Sequence, residues 1–166
     1  MSADLVRKGH FVFESGLHGD TWLELDLLIA DPTRMRAAAT ELAARLAGFE
    51  ADLVCGPLEG GAFLAQWVAE ALGTSFAYTT RDGLPPAFAV DGRRTIVVDD
   101  AINAGFATTA AVTALRAAGC AVTALGSVLV CAPEGPKVGT RLGIPKVHLE
   151  EITTTVWPAA DCPLCT

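Results

Sequence analysis

The sequence predicts an α/β domain in which helices flank a parallel sheet and a small hood precedes it at the N-terminus. Strand-like and helix-like segments alternate at the spacing of parallel βαβ units. The segment Thr95–Val98 is a β-branched run without charged residues, as expected for a strand covered on both faces. The chain has 166 residues, 51% apolar and 19% charged, which suits one domain with a buried core. We expect a single domain over 1–166, with the hood at about 9–30, the core at about 31–157 and a cysteine-containing tail at 158–166.

The N-terminal segment is predicted to form a hairpin or a small sheet. A short aromatic run begins at His10, the chain turns at Ser15-Gly16, and apolar residues continue through Thr21–Leu23 to Leu27–Ile29. Asp31-Pro32-Thr33 then opens a helix, with Asp31 or Thr33 as its cap and proline in its first turn. The alanine-rich run up to Ala47 fills this helix, and Gly48 ends it.

The alternation of strands and helices follows from residue 52 onward. Strands are predicted at Asp52–Cys55, Ser75–Thr79, Thr95–Val98, Val122–Cys131, Lys146–Glu150 and Ile152–Trp157. Helices are predicted at about Ala62–Leu72 and Ala107–Ala118, each stopped by the glycine that follows. The segment Arg81–Arg93 contains two glycines and two prolines and is predicted to be a loop.

The composition excludes several classes of function. A formal charge of −7 argues against broad, non-specific binding of nucleic acid. No segment approaches the roughly 20 apolar residues that span a bilayer. Residues 1–9 lack the apolar centre of a signal peptide, so we expect a cytoplasmic protein. Cys55, Cys120 and Cys131 lie in apolar runs, where cysteine usually behaves as a small buried hydrophobic residue.

The loop after the strand Thr95–Val98 is the strongest candidate site, because ligands of parallel sheets bind beyond the carboxyl ends of the strands. Asp99 and Asp100 are adjacent carboxylates that repel each other unless a cation or hydroxyl groups lie in front of them. Asn103 and Gly105 allow backbone amides to converge at a helix N-terminus and form an anion nest suited to a phosphate. Such a loop would hold a ribose 5-phosphate at both ends. The alternative is that an aspartate merely caps the helix.

These residues resemble a known family. The segment Val98–Gly105, with the sequence VDDAINAG, resembles the phosphoribosyl pyrophosphate (PRPP) signature of type I phosphoribosyltransferases, in the form found in orotate phosphoribosyltransferases. Gly9–Phe13 and Ser15–Trp22 resemble the hood of those enzymes, and Gly56–Gly61 resembles their pyrophosphate-binding loop. The ending Trp157-Pro158 with Cys162-Pro163-Leu164-Cys165 is similar to the tail of one bacterial branch. The resemblance runs in order across nearly the whole chain.

The resemblance implies the type I phosphoribosyltransferase fold and a role for each motif. Asp99 and Asp100 would hold the ribose hydroxyls. The 5-phosphate would be bound by Asn103, Ala104, Gly105, Phe106 and Ala107, with Thr108 as a source of a hydroxyl group. The pyrophosphate would face Pro57, Leu58, Glu59, Gly60 and Gly61, with Mg²⁺ between it and the ribose. Ser15, Gly16 and His18 would contact a ligand from the hood. The reaction would displace pyrophosphate from C1 of the ribose by a ring nitrogen of a base, in a homodimer.

The sequence departs from the family in its cations, which matters because the leaving pyrophosphate needs positive charge. The stretch Thr80–Phe88 offers only Arg81, which we take as the candidate catalytic cation. Gly60 and Glu14 stand where many members carry lysine, and Cys131-Ala132-Pro133 stands where the family places an arginine on the orotate carboxylate. Arg93, Arg94, Lys137 and Arg141 are the residues that could compensate, the alternative being that they are solvated surface charges.

Two functional hypotheses follow. The first is a Mg²⁺-dependent phosphoribosyltransferase acting on PRPP and an unidentified base, with orotate itself disfavoured. The second is a non-catalytic sensor or regulatory module that binds PRPP. A dinucleotide-binding enzyme is disfavoured because no G-x-G-x-x-G motif follows the first strand.

The tail raises a separate question. Cys162 and Cys165 have the spacing of half a zinc site, but a tetrahedral structural site needs two more ligands. The sequence shows no second cysteine pair, so a dimer that brings two tails together is one source of those ligands. The alternative is a reduced, partly exposed pair of thiols. His10 and His148 show no partner pattern and are interpreted as structural.

Overall fold

The computed structural model describes residues 4–13 and 15–165 and arranges them in two sheets with flanking helices. The strands are β1 Val6–Val12, β2 Leu17–Leu23, β3 Leu53–Pro57, β4 Ser75–Thr79, β5 Arg94–Ile102, β6 Ala121–Ala132, β7 Lys146–Thr153 and β8 Val156–Pro158. The α-helices are α1 Asp26–Ile29, α2 Pro32–Leu46, α3 Gly60–Leu72, α4 Phe106–Ala117 and α5 Val138–Leu142. Short 3₁₀ helices cover Gly135–Lys137 and Ala159–Asp161.

The main sheet has five parallel strands in the order β4-β3-β5-β6-β7, so β5 lies at its centre. Alternate residues of β5 face opposite sides, as strand geometry requires. Ile96 and Val98 join a core with α1, α2 and α3, whereas Val97 joins a second core with α4 and α5. Helices therefore cover both faces, which confirms the predicted α/β fold with a parallel sheet.

The first long helix begins as predicted. Asp31 is the N-cap residue of α2, and its Oδ1 accepts hydrogen bonds from the backbone amides of Thr33 and Arg34. Pro32 occupies the first position of the helix, where its missing N–H costs nothing. The buried face of α2 consists of Met35, Ala38, Ala39, Leu42, Ala43 and Leu46, and it lies against the sheet.

The hood is a three-stranded antiparallel sheet in the order β1-β2-β8, hereafter the hood sheet. Its third strand comes from the other end of the chain, with His18 paired to Trp157 and Leu17 paired to Pro158. The predicted strand over Ile152–Trp157 is wrong in its bounds: β7 continues to Thr153 in the main sheet, and β8 then begins in the hood sheet. The C-terminal tail thus packs beside the N-terminal hairpin.

Two further local predictions need correction. Leu27–Ile29 is helical, because the amides of Ile29 and Ala30 donate to the carbonyls of Leu25 and Asp26 and Leu28 is buried in the core. The central strand does not end at Val98, because β5 stays paired with β6 as far as Ile102. The two acidic residues therefore belong to the end of a strand and not to a loop. No helix in the described part of the chain is long and apolar enough to cross a membrane.

Candidate functional site

The candidate site lies where the carboxyl ends of β3, β4, β5 and β6 meet at one edge of the parallel sheet. The parallel order brings together the loops after these strands, which the sequence singles out as separate candidates. Two short segments dominate this edge: residues 57–61, hereafter the 57–61 loop, and residues 103–108, hereafter the 103–108 loop. Between them lie Asp99 and Asp100 near the end of β5.

Asp99 and Asp100 are both buried, with 7% and 9% of their surfaces exposed. The Thr108 hydroxyl donates to Asp99 Oδ2 at 2.9 Å, and the Ala101 amide donates to Asp100 Oδ1 at 2.7 Å. Burial, together with the neighbouring Asp100 charge, raises the pKa of Asp99 well above its ordinary value. Burial also raises the pKa of Asp100. Neither of these hydrogen bonds comes from a cation, so the site concentrates negative charge and favours a ligand that brings positive charge or hydroxyl donors.

The 57–61 loop packs directly against these carboxylates. A Cβ atom at position 60 would collide with Asp100 Oδ2, and one at position 61 would lie 2.7 Å from Asp99 Oδ1. Only glycine allows such a close approach of the backbone to a side chain. The loop is also tied to the neighbouring strand, because the Leu58 amide donates to the carbonyl of Thr79 at 2.7 Å. Glycine at positions 60 and 61 therefore has a steric reason.

The 103–108 loop leads into the N-terminus of α4. Gly105 has a φ of 80°, in the left-handed region that favours glycine, and no side chain caps the helix. The first amides of a helix have no intrahelical partner, so this end is suited to an anion. Thr108 does not direct its hydroxyl to that position, because it is fully buried and bonded to Asp99. Phe106, which is 84% exposed, opens the helix on the solvent side.

Arg81 lies beside the 57–61 loop. Together with Leu58, Glu59, Thr80 and Asp82 it lines an open cleft of about 460 Å³, hereafter the polar cleft. The tight turn that presents Arg81 is held by reciprocal backbone hydrogen bonds between Thr80 and Gly83. Further along the predicted loop, Val90 is buried in the second core, and Leu84 and Phe88 pack against that core. Only the tip of this loop faces the polar cleft.

Carboxylate oxygens at this edge fit a divalent metal. Asp99, Asp100 and Glu59 offer the hard oxygen ligands that Mg²⁺ prefers, usually together with substrate phosphates. Arg81 is the one cation among the residues that line the polar cleft, whose lining also includes the acidic residues Glu59 and Asp82. The polar cleft therefore has little positive charge of its own to offer a polyphosphate.

A second cleft, of about 200 Å³, lies between the hood sheet and the main sheet, and we call it the hood cleft. The stacked rings of Phe13 and Trp22, with centroids 6.1 Å apart, belong to it. Burial raises the pKa of the Cys131 thiol to about 11, so this side chain is neutral at physiological pH. The cleft is lined by Phe13, Thr21, Trp22, Leu23, Asn103, Cys131, Thr154 and Val156, with no lysine or arginine among them. The sequence alone assigns no ligand-binding role to these aromatic side chains, although the run at Phe11–Phe13 marks this segment as aromatic.

The four cationic residues that could compensate for the missing positive charge lie in different parts of the molecule. Arg94 pairs with Asp52 and Glu50, and Arg93 donates to Ser75 at the opposite end of the sheet from the site. Lys137 pairs with Glu134. Arg141 alone among the four reaches the site, because its Nη2 donates to the carbonyl of Ala104 at 2.6 Å.

The hood residues predicted to contact a ligand lie elsewhere. Ser15 and Gly16 form the exposed hairpin turn, where Ser15 Oγ accepts from the Leu17 amide at 3.4 Å. His18 contacts His10 and Cys165 of the tail. None of the three lines the polar cleft or the hood cleft. Glu14, the other hood position of interest, lies outside the described residues.

Comparisons with known proteins agree on one family, although no protein-family model matches the chain. The orotate phosphoribosyltransferase of Phenylobacterium zucineum (strain HLK1) is 32% identical over 170 residues, covering 97% of this chain and 84% of the relative. That of Pelotomaculum thermopropionicum is 32% identical over 162 residues, covering 95% and 83%.

Solved structures share the fold. The orotate phosphoribosyltransferase of Mycobacterium tuberculosis in complex with inorganic phosphate matches with a TM-score of 0.76 at 19% identity, over 88% of both chains. The same enzyme in complex with PRPP matches with a TM-score of 0.72 at 18% identity, over 78% of this chain and 80% of that one.

Proposed function

Because this chain belongs to the orotate phosphoribosyltransferase family, we propose that it transfers the phosphoribosyl group of PRPP to a ring nitrogen of a base. The observation that carries the proposal is the placement of Asp99 and Asp100 between two anion-accepting loops. One is the uncapped N-terminus of α4, and the other is the 57–61 loop, which packs on the carboxylates through Gly60 and Gly61. PRPP presents its groups in the same order, because its ribose hydroxyls lie between the 5-phosphate and the pyrophosphate.

Each motif has a distinct role in binding PRPP. The carboxylates of Asp99 and Asp100 accept hydrogen bonds from the ribose 2- and 3-hydroxyls. Backbone amides of the 103–108 loop bind the 5-phosphate, and Arg141 steadies this loop through the Ala104 carbonyl. The backbone of the 57–61 loop faces the pyrophosphate. Thr108 acts on the site indirectly, because its hydroxyl holds Asp99 in place.

Mg²⁺ is the proposed cofactor. When bound, it would neutralise charge on the pyrophosphate and on the buried carboxylates, with Asp99, Asp100 and Glu59 as the available protein oxygens. The polar cleft needs this contribution, since its lining includes one cation, Arg81, and two acidic residues, Glu59 and Asp82.

The transfer breaks the bond between C1 of the ribose and a pyrophosphate oxygen and forms a bond between C1 and the ring nitrogen. Positive charge develops on the sugar and negative charge on the leaving pyrophosphate. Groups already aimed at that charge lower the barrier, and each 1.4 kcal/mol or so corresponds to about tenfold in rate. Arg81, at the tip of its turn, is the side chain placed to stabilise the leaving group.

The hood cleft is the proposed position of the base. It adjoins the 103–108 loop through Asn103 and offers the rings of Phe13 and Trp22 for stacking on a flat heterocycle. Thr21, Asn103 and Thr154 supply polar groups. A cleft lined by neither lysine nor arginine lacks a partner for a carboxylate, so we expect an uncharged heterocycle to be a better acceptor than orotate.

The test is pyrophosphate release from PRPP and Mg²⁺ with a panel of bases that includes orotate, uracil, cytosine and the purines. We expect release with at least one base, and a higher kcat/KM for an uncharged base than for orotate. Preference for orotate would overturn the assignment of the acceptor but not of the reaction. Release with no base, despite PRPP binding, would favour the sensor hypothesis, which family membership disfavours.

The quaternary structure and the compartment are also part of the proposal. We propose a homodimer, as the family resemblance implies, and a cytoplasmic location. Analytical ultracentrifugation tests the first, with sedimentation at twice the 17.2 kDa chain mass as the expected result.

A further inference from the structure

Two histidines of the hood and two cysteines of the tail meet at the edge of the hood sheet. His10 lies on β1 and His18 on β2, whereas Cys162 and Cys165 follow the 3₁₀ helix Ala159–Asp161. One nitrogen or sulfur atom from each of the four lies within 4.8 Å of all the others. The residues are separated by as many as 155 positions in sequence, so the fold alone brings them together.

The distances between the four donor atoms are close to those of a tetrahedral metal site. His10 Nε2 lies 3.0 Å from His18 Nδ1 and 3.6 Å from the Sγ atoms of both Cys162 and Cys165. His18 Nδ1 lies 3.1 Å from Cys165 Sγ. Zinc binds sulfur at about 2.3 Å and nitrogen at about 2.0–2.1 Å, which places tetrahedral ligands roughly 3.3–3.8 Å apart. The two 3.6 Å separations fall within this range and the other two are a few tenths of an ångström shorter, so small side-chain adjustments would let the four atoms surround one ion.

Backbone pairing holds each ligand in position. The antiparallel pairing of β1 and β2 sets the two imidazole rings side by side, with centroids 5.0 Å apart. Pairing of His18 with Trp157 brings the tail to the hood. Two turns then fold the cysteines back, because the Cys162 amide donates to the Ala159 carbonyl and the Cys165 amide donates to the Cys162 carbonyl.

The four donor atoms converge on one another. Every hydrogen-bond contact of His10 Nε2, His18 Nδ1 and the two Sγ atoms in the described residues is with another member of the group. Two imidazole nitrogens and two thiols that converge without a carboxylate or a carbonyl among them are a soft donor set. Such a set favours zinc over Mg²⁺, which prefers oxygen ligands.

We propose that His10, His18, Cys162 and Cys165 form a structural Zn²⁺ site within a single chain. Four protein ligands close the coordination sphere, which is typical of structural and not of catalytic zinc. The two ligands that the sequence leaves unassigned come from the hood of the same chain, so no second tail is required. This site is separate from the Mg²⁺ chemistry proposed for the polar cleft and does not depend on it.

The zinc would fasten the end of the chain to its beginning. The hood sheet contributes Trp22 from β2 and Val156 from β8 to the hood cleft, so a fixed junction of β2 and β8 fixes that cleft. The short pairing of β8, three residues long, gives this junction little stability of its own. Ion binding supplies the missing stability, because structural zinc contributes directly to the free energy of folding.

Metal analysis of the full chain tests the proposal. The protein is produced with zinc in the medium, purified without chelators, and measured by inductively coupled plasma mass spectrometry. We expect about one zinc per chain. The double substitution Cys162→Ser/Cys165→Ser and the single substitution His10→Ala should lower the zinc content about tenfold or more. Cys120→Ser and His148→Gln are the matched controls, because they change the same residue types outside the group, and they should keep the zinc.

A second measurement covers variants that fail to fold. Wild-type protein is stripped of metal with a chelator under reducing conditions and titrated with Co²⁺. We expect the absorption bands of tetrahedral Co²⁺ and of thiolate-to-cobalt charge transfer to reach their maximum at one equivalent. Zn²⁺, but not Mg²⁺, should displace the cobalt and return the Tm to its value before the metal was removed. Wild-type protein that is purified without bound zinc, and that shows none of these cobalt bands on titration, would overturn the proposal. So would a disulfide between Cys162 and Cys165 in freshly purified protein, or equal zinc in the double variant.

Discussion

At the scale of single residues, Asp99 and Asp100 combine a functional requirement with a cost to stability. Both carboxylates are buried, and burial raises the pKa of each. A carboxyl group whose pKa is higher in the folded than in the unfolded chain lowers stability as the pH rises from the unfolded to the folded pKa. The free protein therefore carries this cost at pH values above the ordinary carboxyl pKa, and bound Mg²⁺ would relieve it.

Replacement of Asp100 by asparagine should make the free protein more stable and less active. We expect a Tm increase of a few degrees at pH 7, since about 1 kcal/mol shifts the Tm of a chain of this size by roughly 2–4 °C. The gain should shrink as the pH falls towards the ordinary carboxyl pKa of 3.8, where the wild-type group is also protonated in the unfolded chain. Calorimetric scans from pH 4 to pH 7 measure it. Exposed Asp91→Asn is the control, and an equal gain in that variant would refute the explanation.

Arg81→Ala tests the leaving-group cation. Because charge-assisted hydrogen bonds are the strong ones, we expect kcat/KM for PRPP to fall by about 10- to 100-fold. Arg93→Ala removes an equally charged side chain at the opposite end of the sheet, where it donates to Ser75, and should leave kcat/KM within about twofold. Steady-state kinetics of both variants decide the matter, and equal losses would show that Arg81 has no specific role.

At the scale of secondary-structure elements, the close packing of α3 and its leading loop against β5 defines the site. Gly60→Ala places a methyl group where Asp100 Oδ2 now lies, so the carboxylate must move. We expect PRPP affinity to fall by about tenfold or more, because small displacements of positioning groups are costly. Gly48→Ala is the matched control: nothing lies within 4 Å of its Cβ position, and binding should be unchanged. Isothermal titration compares the two, and equal affinities would contradict the packing argument.

The same elements show what the sequence could predict. The β-branched run ending at Val98, the cap at Asp31 and the alternation of strands and helices are local signals, and the structure confirms the fold that they predict. Strand β5 extends to Ile102 because pairing with β6 continues through the acidic residues, and no local pattern reports a partner strand. Leu27–Ile29 is helical for a related reason: an apolar triplet has no period of its own, and burial of Leu28 decides its conformation.

The candidate site was predictable where its residues are neighbours in sequence and not where they are distant. Adjacent Asp99 and Asp100, followed by Gly105 at a helix N-terminus, are a local pattern. The bond from Thr108 to Asp99, the contact of Arg141 with Ala104 and the meeting of His10 with Cys162 depend on the tertiary fold. Periodicity and spacing cannot indicate such contacts, which explains why Arg141 was only one of four candidate cations and why His10 was interpreted as structural.

At the scale of the whole molecule, the hood connects the two ends of the chain to the hood cleft, the proposed position of the base. The hood sheet joins β1 and β2 from the N-terminus with β8 from the C-terminus, and its residues line the hood cleft. The loops proposed to bind PRPP follow strands of the main sheet instead. The two substrates are therefore expected to depend on different parts of the molecule.

Loss of the junction between hood and tail should raise the KM for the base and leave the KM for PRPP nearly unchanged. In Cys162→Ser/Cys165→Ser we expect the KM for the base to rise by about tenfold, while the KM for PRPP changes less than about twofold, because the 103–108 loop follows β5 of the main sheet whereas the tail follows β8 of the hood sheet. Kinetics with each substrate varied in turn measure the separation. A parallel rise in both values would mean that the substitution disturbs the whole fold.

The central claim, that Asp99 and Asp100 form the sugar site of a PRPP-dependent transferase, is tested most directly by calorimetric titration. Wild-type protein and the Asp99→Asn/Asp100→Asn variant are titrated with PRPP in the presence of Mg²⁺. We expect one binding event per wild-type chain and a loss of affinity of about 100-fold or more in the variant, since two hydroxyl-binding carboxylates are removed. Absence of binding by the wild-type protein, or equal affinity in the variant, would contradict the claim.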